Sequence, residues 1–322
     1  MYTSSCSASF RCSCWFVAVY GKIPFLFLSL SLIFFSCSTL RSADTARTQS
    51  ESFTAVEAVL PQWQSLTNGV DFFHGKITVP QLAVSNMEFW ALKIDLLAPN
   101  LQIVVKGGTL DGAADAGTLS VKVSSFVSAN GLTAGINATP FDISTAKEGQ
   151  PIKNVGIIIS DGKLIAPANS RYDALVFYAD GKTAIVNQSS IKSTENIVNA
   201  VGGFHHILIN GEPAERTIGR ENRDPRSAAG ISANGQYLYL LVIDGRRMES
   251  AGGTEKETAL LMLALGAWNG INFDGGGSTA LALRGEDGKV RVVNTPVHGG
   301  IHGRERAVAG CLGIAVNPST ER

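Results

Sequence analysis

From Trp90 onward the chain alternates short apolar runs with tight-turn dipeptides, the pattern of antiparallel β-hairpins. Val155–Ser160 and Lys163–Ala166 flank Asp161-Gly162, and Ala174–Tyr178 and Thr183–Val186 flank Asp180-Gly181. Ala228–Ile231 and Gln236–Ile243 flank Asn234-Gly235, while Thr279–Leu283 and Lys289–Val293 flank a turn ending at Asp287-Gly288. Asn-Gly and Asp-Gly supply the positive φ angles that two-residue hairpin turns need. Trp90–Leu97 and Leu101–Val105, parted by Pro99-Asn100, predict a further strand pair. Helical periodicity is scarce. Val121–Ala129 predicts a short helix stopped by Asn130-Gly131. Glu257–Leu265 (ETALLMLAL) predicts another, closed by Gly266 and apolar nearly all round, so buried on most sides. Hairpins around one or two buried helices make an α+β fold. No linker-like composition interrupts residues 53–317, so 53–322 reads as one domain.

The N-terminus follows a different pattern. Ile23–Phe35 (IPFLFLSLSLIFF) carries no charge, Arg11 and Lys22 precede it, and no acidic residue occurs before Asp44. A basic segment, a short apolar core and then small polar residues predict an export signal over 1–36; the run is short for a membrane-spanning helix. Phe34-Phe35-Ser36-Cys37 resembles a bacterial lipobox, which makes Cys37 the candidate lipidation site, with 37–52 as a polar tether. A single acyl chain holds only reversibly, so firm anchoring needs the several chains bacterial lipoproteins carry. The expected location is the bacterial cell envelope, periplasm or cell surface; secretion is the alternative.

Composition narrows the function classes. Among 322 residues, 27 Lys+Arg face 27 Asp+Glu, which leaves no basic excess for nucleic acid. Of five cysteines, Cys6, Cys12 and Cys14 leave with the signal. If Cys37 carries lipid, Cys311 has no partner, and its apolar surroundings (AGCLGI) predict a buried small hydrophobe. Neither a disulfide framework nor a cysteine-based metal site follows.

The densest chemistry lies in Gly270–Thr279 (GINFDGGGST), a short strand running into three glycines. Asp274 there ends a strand beside a backbone that a ligand can approach closely, and successive N–H groups of Gly275, Gly276, Gly277 and Ser278 could form an anion nest. A tight chain reversal capped by Asp274 explains the same residues. Thr254 and Glu257 fit a capping box, which puts a carboxylate at the start of the helix that leads to Asp274. Glu221–Arg226 (ENRDPR) is a polar loop carrying Arg223 and Arg226; an ordinary solvated loop accounts for Arg223. His205 and His206 precede a strand and alternate to opposite faces, so they make a poor pair for one metal. His298 and His302 flank glycine-rich sequence and read as a mobile loop.

Taken in order, these segments resemble the phosphodiester glycosidase family, relatives of the lysosomal enzyme that uncovers mannose 6-phosphate. The matching stretches are Leu132–Phe141 (LTAGINATPF), Asp224–Gly230 (DPRSAAG), Tyr237–Arg246 (YLYLLVIDGR), Gly253–Gly266, Asn272–Leu281 (NFDGGGSTAL) and Glu305-Arg306 with Val308. Two departures are Ala138-Thr139-Pro140 for the usual Gly-Gly-aromatic run and Ser227-Ala228-Ala229 for Thr-Ala-Ile. The resemblance implies an exported hydrolase that releases a sugar from a 1-phosphodiester on a phosphorylated glycan or nucleotide-sugar-like substrate. Asp274 and Glu257 would be its carboxylates, and Arg226, Arg306 and the glycine N–H groups its phosphate clamp, since guanidinium binds phosphate bidentately. Asn137 would orient sugar or water; Asp244 and His206 are secondary candidates. No cofactor is implied, although a structural divalent cation on backbone and Asp oxygens stays open. The rival readings are a phosphoglycan-binding envelope lipoprotein without turnover, and a metal-dependent phosphodiesterase that cuts the P–O bond. The sequence offers the latter no His/Asp cluster at metal-ligand spacing.

Overall fold

Three large antiparallel sheets and a two-stranded pair, Thr118–Leu119 with Pro151–Ile152, carry the described residues. The computed structural model describes residues 59, 61–78, 86–108, 117–142 and 147–317, all within the unit Ala46–Arg322. The expected leader over 1–36, the tether over 37–52 and Cys37 lie outside those residues. A large eight-stranded sheet runs from edge to edge as Gln64–Thr67, Val70–Thr78, Asn86–Asp95, Tyr237–Ile243, Arg226–Ile231, Asn269–Asn272, His205–Ile209 and Glu212–Pro213. A second sheet orders Thr183–Asn187, Asp173–Tyr178, Ile197–Gly202, Ile158–Ser160 and Lys163–Ala166. The third orders Val290–Val292, Leu281–Arg284, Ala134–Asn137, Cys311–Val316 and Leu101–Val105. With two α-helices among the described residues, the α+β class is dominated by β-structure.

The turn dipeptides act as their chemistry demands. Asp161 and Gly162 both take positive φ, and the four expected hairpins form, with strand ends shifted by up to three residues and a register irregularity at Ile158/Ile159 in the first. The fifth expectation needs correction. Asn86–Asp95 pairs with Val70–Thr78 and Tyr237–Ile243, whereas Leu101–Val105 pairs with Cys311–Val316 in another sheet. The turn after Leu97, with Asn100 at φ 64°, carries the chain between sheets instead of folding it back. Leu92, Ile94 and Ile103 still meet in one core, so the two strands share apolar packing and not a hydrogen-bond ladder.

That core lies between the large sheet and the other two, where Leu92, Leu240, Ile136, Leu312, Leu175 and Val201 bury their side chains together. The large sheet's opposite face packs on the helix Glu255–Leu265, whose Ala259, Leu260, Leu261, Met262 and Leu265 contact Ala228, Ile207 and Leu241. Each such buried aliphatic side chain stabilises the fold by roughly 1.5–3 kcal/mol. The expected capping box is present at Thr254 and Glu257, and Gly266 closes the helix at φ 113°. The helix Val123–Ala129 covers the outer face of the third sheet. Glu305 accepts from the Ser124 N–H at 2.9 Å and so caps it. Cys311 is fully buried and free, its thiol pushed up to about 12 by burial.

Candidate active site

Sheet ends converge at Asp274. The central strand Asn269–Asn272 delivers it past the fully buried Phe273. The Asp274 N–H donates to the Ala138 carbonyl at 2.9 Å, and its own carbonyl accepts from Asn137 Nδ2 at 2.6 Å. Asn137 ends a strand of the third sheet, so these bonds stitch the large sheet to it at this point. The side-chain oxygen of Asn137 accepts from Ser227 Oγ at 2.7 Å and from the Ala280 N–H at 3.1 Å. Asn137 is wholly buried and holds Asp274 from behind.

Past Asp274 the glycines do separate jobs. Gly276 adopts φ 60° and donates its N–H to Pro225 O at 2.8 Å. A Cβ on Gly276 would come 3.0 Å from Arg246 Nη2, and one on Gly277 2.7 Å from Arg306 Nη2. The missing side chains therefore let two guanidinium groups lie against the loop. The N–H groups of Gly275, Gly276 and Ser278 already have acceptors inside the protein, at Asp274, Pro225 and Gly275. Anion-binding capacity at this loop accordingly rests on the arginines and the Gly277 N–H. Arg306 donates Nε–H to His298 Nδ1 at 2.9 Å and Nη1–H to Ser278 Oγ at 3.1 Å. Arg246 pairs with Asp224 at 3.0 Å.

Burial pushes the Asp274 carboxyl up to about 6, against the opposing pull of the Ser278 hydroxyl, Arg306 and the Gly275 N–H. Burial also lowers His298, with Arg306 and Arg304 adding to the effect. A neutral imidazole whose Nδ1 accepts from Arg306 must carry its proton on Nε2.

The remaining sequence candidates fall into separate networks. Glu257 is 1% exposed; Oε2 accepts from the Thr254 N–H at 2.9 Å and Oε1 pairs with Arg223. Arg223 is thus a buried carboxylate's partner and not a solvated loop residue. Arg226 adjoins the site through Pro225, but its guanidinium turns toward the start of the long helix. There Nε donates to Gly253 O at 2.9 Å and Nη2 to Asn222 O at 2.9 Å. Asp244 is buried and bonded to Asn294 Nδ2 at 3.0 Å, to the Thr295 N–H at 3.0 Å and to Arg247, which ties a strand end to a loop. His206 turns its Nδ1 to Asp173 at 2.7 Å and joins the large and second sheets. His298 corrects the mobile-loop expectation: it is 8% exposed, because Arg306 holds it. Sequence reasoning missed Arg246 and His298 as site residues: Arg246 closes the family-like stretch Tyr237–Arg246 without being singled out there, and no local motif marks His298. Among the described residues, no three His, Cys, Asp or Glu side chains converge to hold a metal ion.

A carboxylate poised near neutrality, a hydroxyl and two guanidinium groups on a glycine loop suit a ligand that bears an anion next to a reacting centre. The chain belongs to the phosphodiester glycosidase family, whose model matches residues 130–315. Its fold is similar to the catalytic domain of zebrafish N-acetylglucosamine-1-phosphodiester alpha-N-acetylglucosaminidase, auto-inhibited by its pro-peptide. That match has 21% identity and a TM-score of 0.59, and covers 80% of this chain and 89% of that one. A hypothetical protein from Synechocystis is similar at 13% identity and a TM-score of 0.57, over 81% of this chain and 64% of that one. No curated protein matches the sequence.

Proposed function

We propose that the chain is a hydrolase that cleaves the glycosidic C–O bond of a sugar 1-phosphodiester, with Asp274 as the reacting carboxylate. The observation that carries this reading is that Ser278 and Arg306 both favour the ionised Asp274 carboxylate, while Arg306 Nη1 is bonded to the Ser278 hydroxyl at 3.1 Å. It places a carboxylate and a cation one hydroxyl apart. Above pH 6 Asp274 is ionised and takes a proton from water. The water oxygen bonds to the anomeric carbon while the bond from that carbon to the phosphate oxygen breaks. The electron pair leaves on the phosphate, where Arg306 and Arg246 offset the charge. The products are a free sugar and a phosphomonoester. Phosphate leaves as a weak base and needs no general acid, so one carboxylate suffices where ordinary glycoside hydrolysis uses two.

The substrate in this reading is a phosphorylated glycan or a nucleotide-sugar-like diester. The leader-like N-terminus and Cys37 support export and lipid anchoring in a bacterial envelope; mass spectrometry of the mature N-terminus tests that part. For the chemistry, an aryl sugar 1-phosphodiester is hydrolysed in ¹⁸O water. Label in the sugar and no turnover by Asp274→Asn are expected. Label in the phosphate, or full activity of the variant, overturns the reading.

A further inference from the structure

The edge strand Thr183–Asn187 of the second sheet pairs on one side only, with Asp173–Tyr178. Two hydrogen bonds bracket that ladder, Tyr178 N–H to Lys182 O and Gln188 N–H to Tyr172 O, each 2.9 Å. Antiparallel bonds alternate along a strand, so Ala184 and Val186 bond inward while Thr183 and Ile185 turn their N–H and C=O groups outward. Those four groups have no hydrogen-bond partner among the described residues. The other edges of the three large sheets are blunted. Gln64–Thr67 and Lys163–Ala166 carry register irregularities, Glu212–Pro213 holds a proline, and Val290–Val292 presents Arg291. Along Leu101–Val105 the carbonyls of Ile103 and Val105 accept from Asn199 Nδ2 at 3.0 Å and Ser160 Oγ at 2.7 Å. Bulges, prolines and charges keep an edge from recruiting another strand. Thr183–Asn187 (TAIVN) carries none of them.

Beside the open edge lies a cavity of about 710 Å³. Thr183, Ala184 and Ile185 form one wall, and the hairpin turn Ile231–Gln236 faces them. Ile185 packs on the core that holds Ile231, and Leu97 stands 75% exposed at the rim, so the cavity has an apolar floor beside its row of backbone groups. Lys182 lines this cavity and two others that share its turn; it is exposed and has no ion-pair partner among the described residues. Asp180, on the same turn, spends one carboxylate oxygen on the Lys182 N–H at 3.0 Å. Asn269 also lines the cavity and starts the strand whose far end leads to Asp274. The cavity therefore opens at the end of the large sheet away from Asp274, about 17 Å along that strand.

We propose that this cavity takes an extended peptide segment of a partner protein as a sixth strand of the second sheet, antiparallel to Thr183–Asn187. Two residues of the peptide exchange both backbone hydrogen bonds with Ile185 and Thr183. Directly opposed residues share a face of the sheet, so their side chains point with Ile185 toward Ile231 and Leu97 and are apolar. The residue after them stands opposite Lys182, where a carboxylate supplies the counter-charge that the protein itself withholds. The partner segment accordingly has the form apolar, any, apolar, acidic. A second copy of the same edge, paired about Ile185, meets this form poorly, because it sets Asn187 opposite Thr183 and Gln188 opposite Lys182. Asn187 is moreover already committed to Asp173 and Ser189. Docking at this end leaves Asp274 open, so the site holds a partner without depending on the hydrolase reading.

The full chain, purified in mild detergent, is titrated into the fluorescein-labelled peptide Ser-Ile-Thr-Ile-Glu-Ser, and binding is read by fluorescence anisotropy. Saturable binding below about 1 mM is expected. N-methylation of the first isoleucine, the residue opposite Ile185, should weaken it about tenfold or more through one lost backbone hydrogen bond. Ile185→Pro removes an outward N–H and spares the inner ladder, since an edge strand tolerates proline where its N–H faces solvent. It should weaken binding to the same degree with an unchanged thermal melt; should it melt early, the N-methylated peptide carries the same test on the unaltered protein. Lys182→Glu should cost the peptide about three- to fivefold, the span of an exposed ion pair, and a peptide with lysine in place of glutamate should recover it. Absence of saturable binding, indifference to N-methylation, or no charge preference between the two peptides in either protein overturns the site. A dimer in sedimentation that Ile185→Pro dissolves, with no peptide bound, also overturns it and gives the edge to a second copy of the chain.

Discussion

Asn137 donates to the backbone carbonyl of Asp274 at 2.6 Å, so the residue at the centre of the site is held by a side chain that is itself wholly buried. Asn137→Ala would strand the Ser227 hydroxyl, the Ala280 N–H and the Asp274 carbonyl together. Each unpaired buried group costs about 1–3 kcal/mol, so urea denaturation should register a loss of about 3 kcal/mol or more. Turnover by the protein that stays folded should fall about 100-fold, the usual cost of misplacing a reacting group by about 1 Å. A neutral effect on both would mean that the loop keeps its shape without the clamp.

The pH profile follows from Asp274. Its carboxyl ionises at about 6 when folded and near 3.8 unexposed to the fold's influence. The folded state therefore binds more protons between those values, and stability falls as pH rises through that window. Activity runs the other way, since the base works only when ionised: kcat/KM should drop below a midpoint near 6. Asp274→Asn should abolish turnover yet raise stability at pH 7 by up to about 3 kcal/mol, from 1.36 kcal/mol per unit, with no gain at pH 4. Thermal melts at the two pH values check the sign.

Local rules made much of this legible. Turn dipeptides located four hairpins, and Thr254 with Glu257 announced a capped helix, because these devices are complete within a few residues. Sheet membership was not legible. Nothing between Leu97 and Leu101 distinguishes a hairpin return from a crossing to another sheet, since the partner Cys311–Val316 lies some two hundred residues away. The site divides in the same manner. Asp274 and its glycines form one contiguous motif, and Arg306 came from its resemblance to a family element. Arg246 and His298 enter only through the fold, one against Gly276 and the other on Arg306. Glu257 shows the converse: its capping spacing and its family motif coincide, and spacing alone cannot separate the two roles.

Arg306 is held by His298 and Ser278, which leaves part of its guanidinium to face a ligand. Arg306→Lys keeps the charge but loses the planar fork. The expected result is a 10- to 100-fold fall in kcat/KM, about 1.4–2.7 kcal/mol, and weaker inhibition by inorganic phosphate. His298→Ala acts through Arg306 and should give the same two changes at smaller size. Phosphate inhibition unaltered in both variants would remove Arg306 from the clamp.

Glu257 and Asp274 can be told apart by substitution, since both are carboxylates and only Glu257 is closed into a helix cap and an ion pair. Glu257 holds the Thr254 N–H with one oxygen and Arg223 with the other, at side-chain exposures of 2% and 23% for the ion pair. Glu257→Gln can keep the cap but loses the charge opposite Arg223, which should cost about 2 kcal/mol in a site this sheltered. The kcat of the folded fraction should stay within about threefold, because no proton transfer or charge in the proposed reaction depends on it. Arg223→Gln should produce the same destabilisation, and the double variant should add little to either, as a double-mutant cycle on one ion pair requires. A fall of 1,000-fold or more in kcat for Glu257→Gln with unchanged thermal stability would instead make it the second catalytic carboxylate and replace the one-carboxylate mechanism.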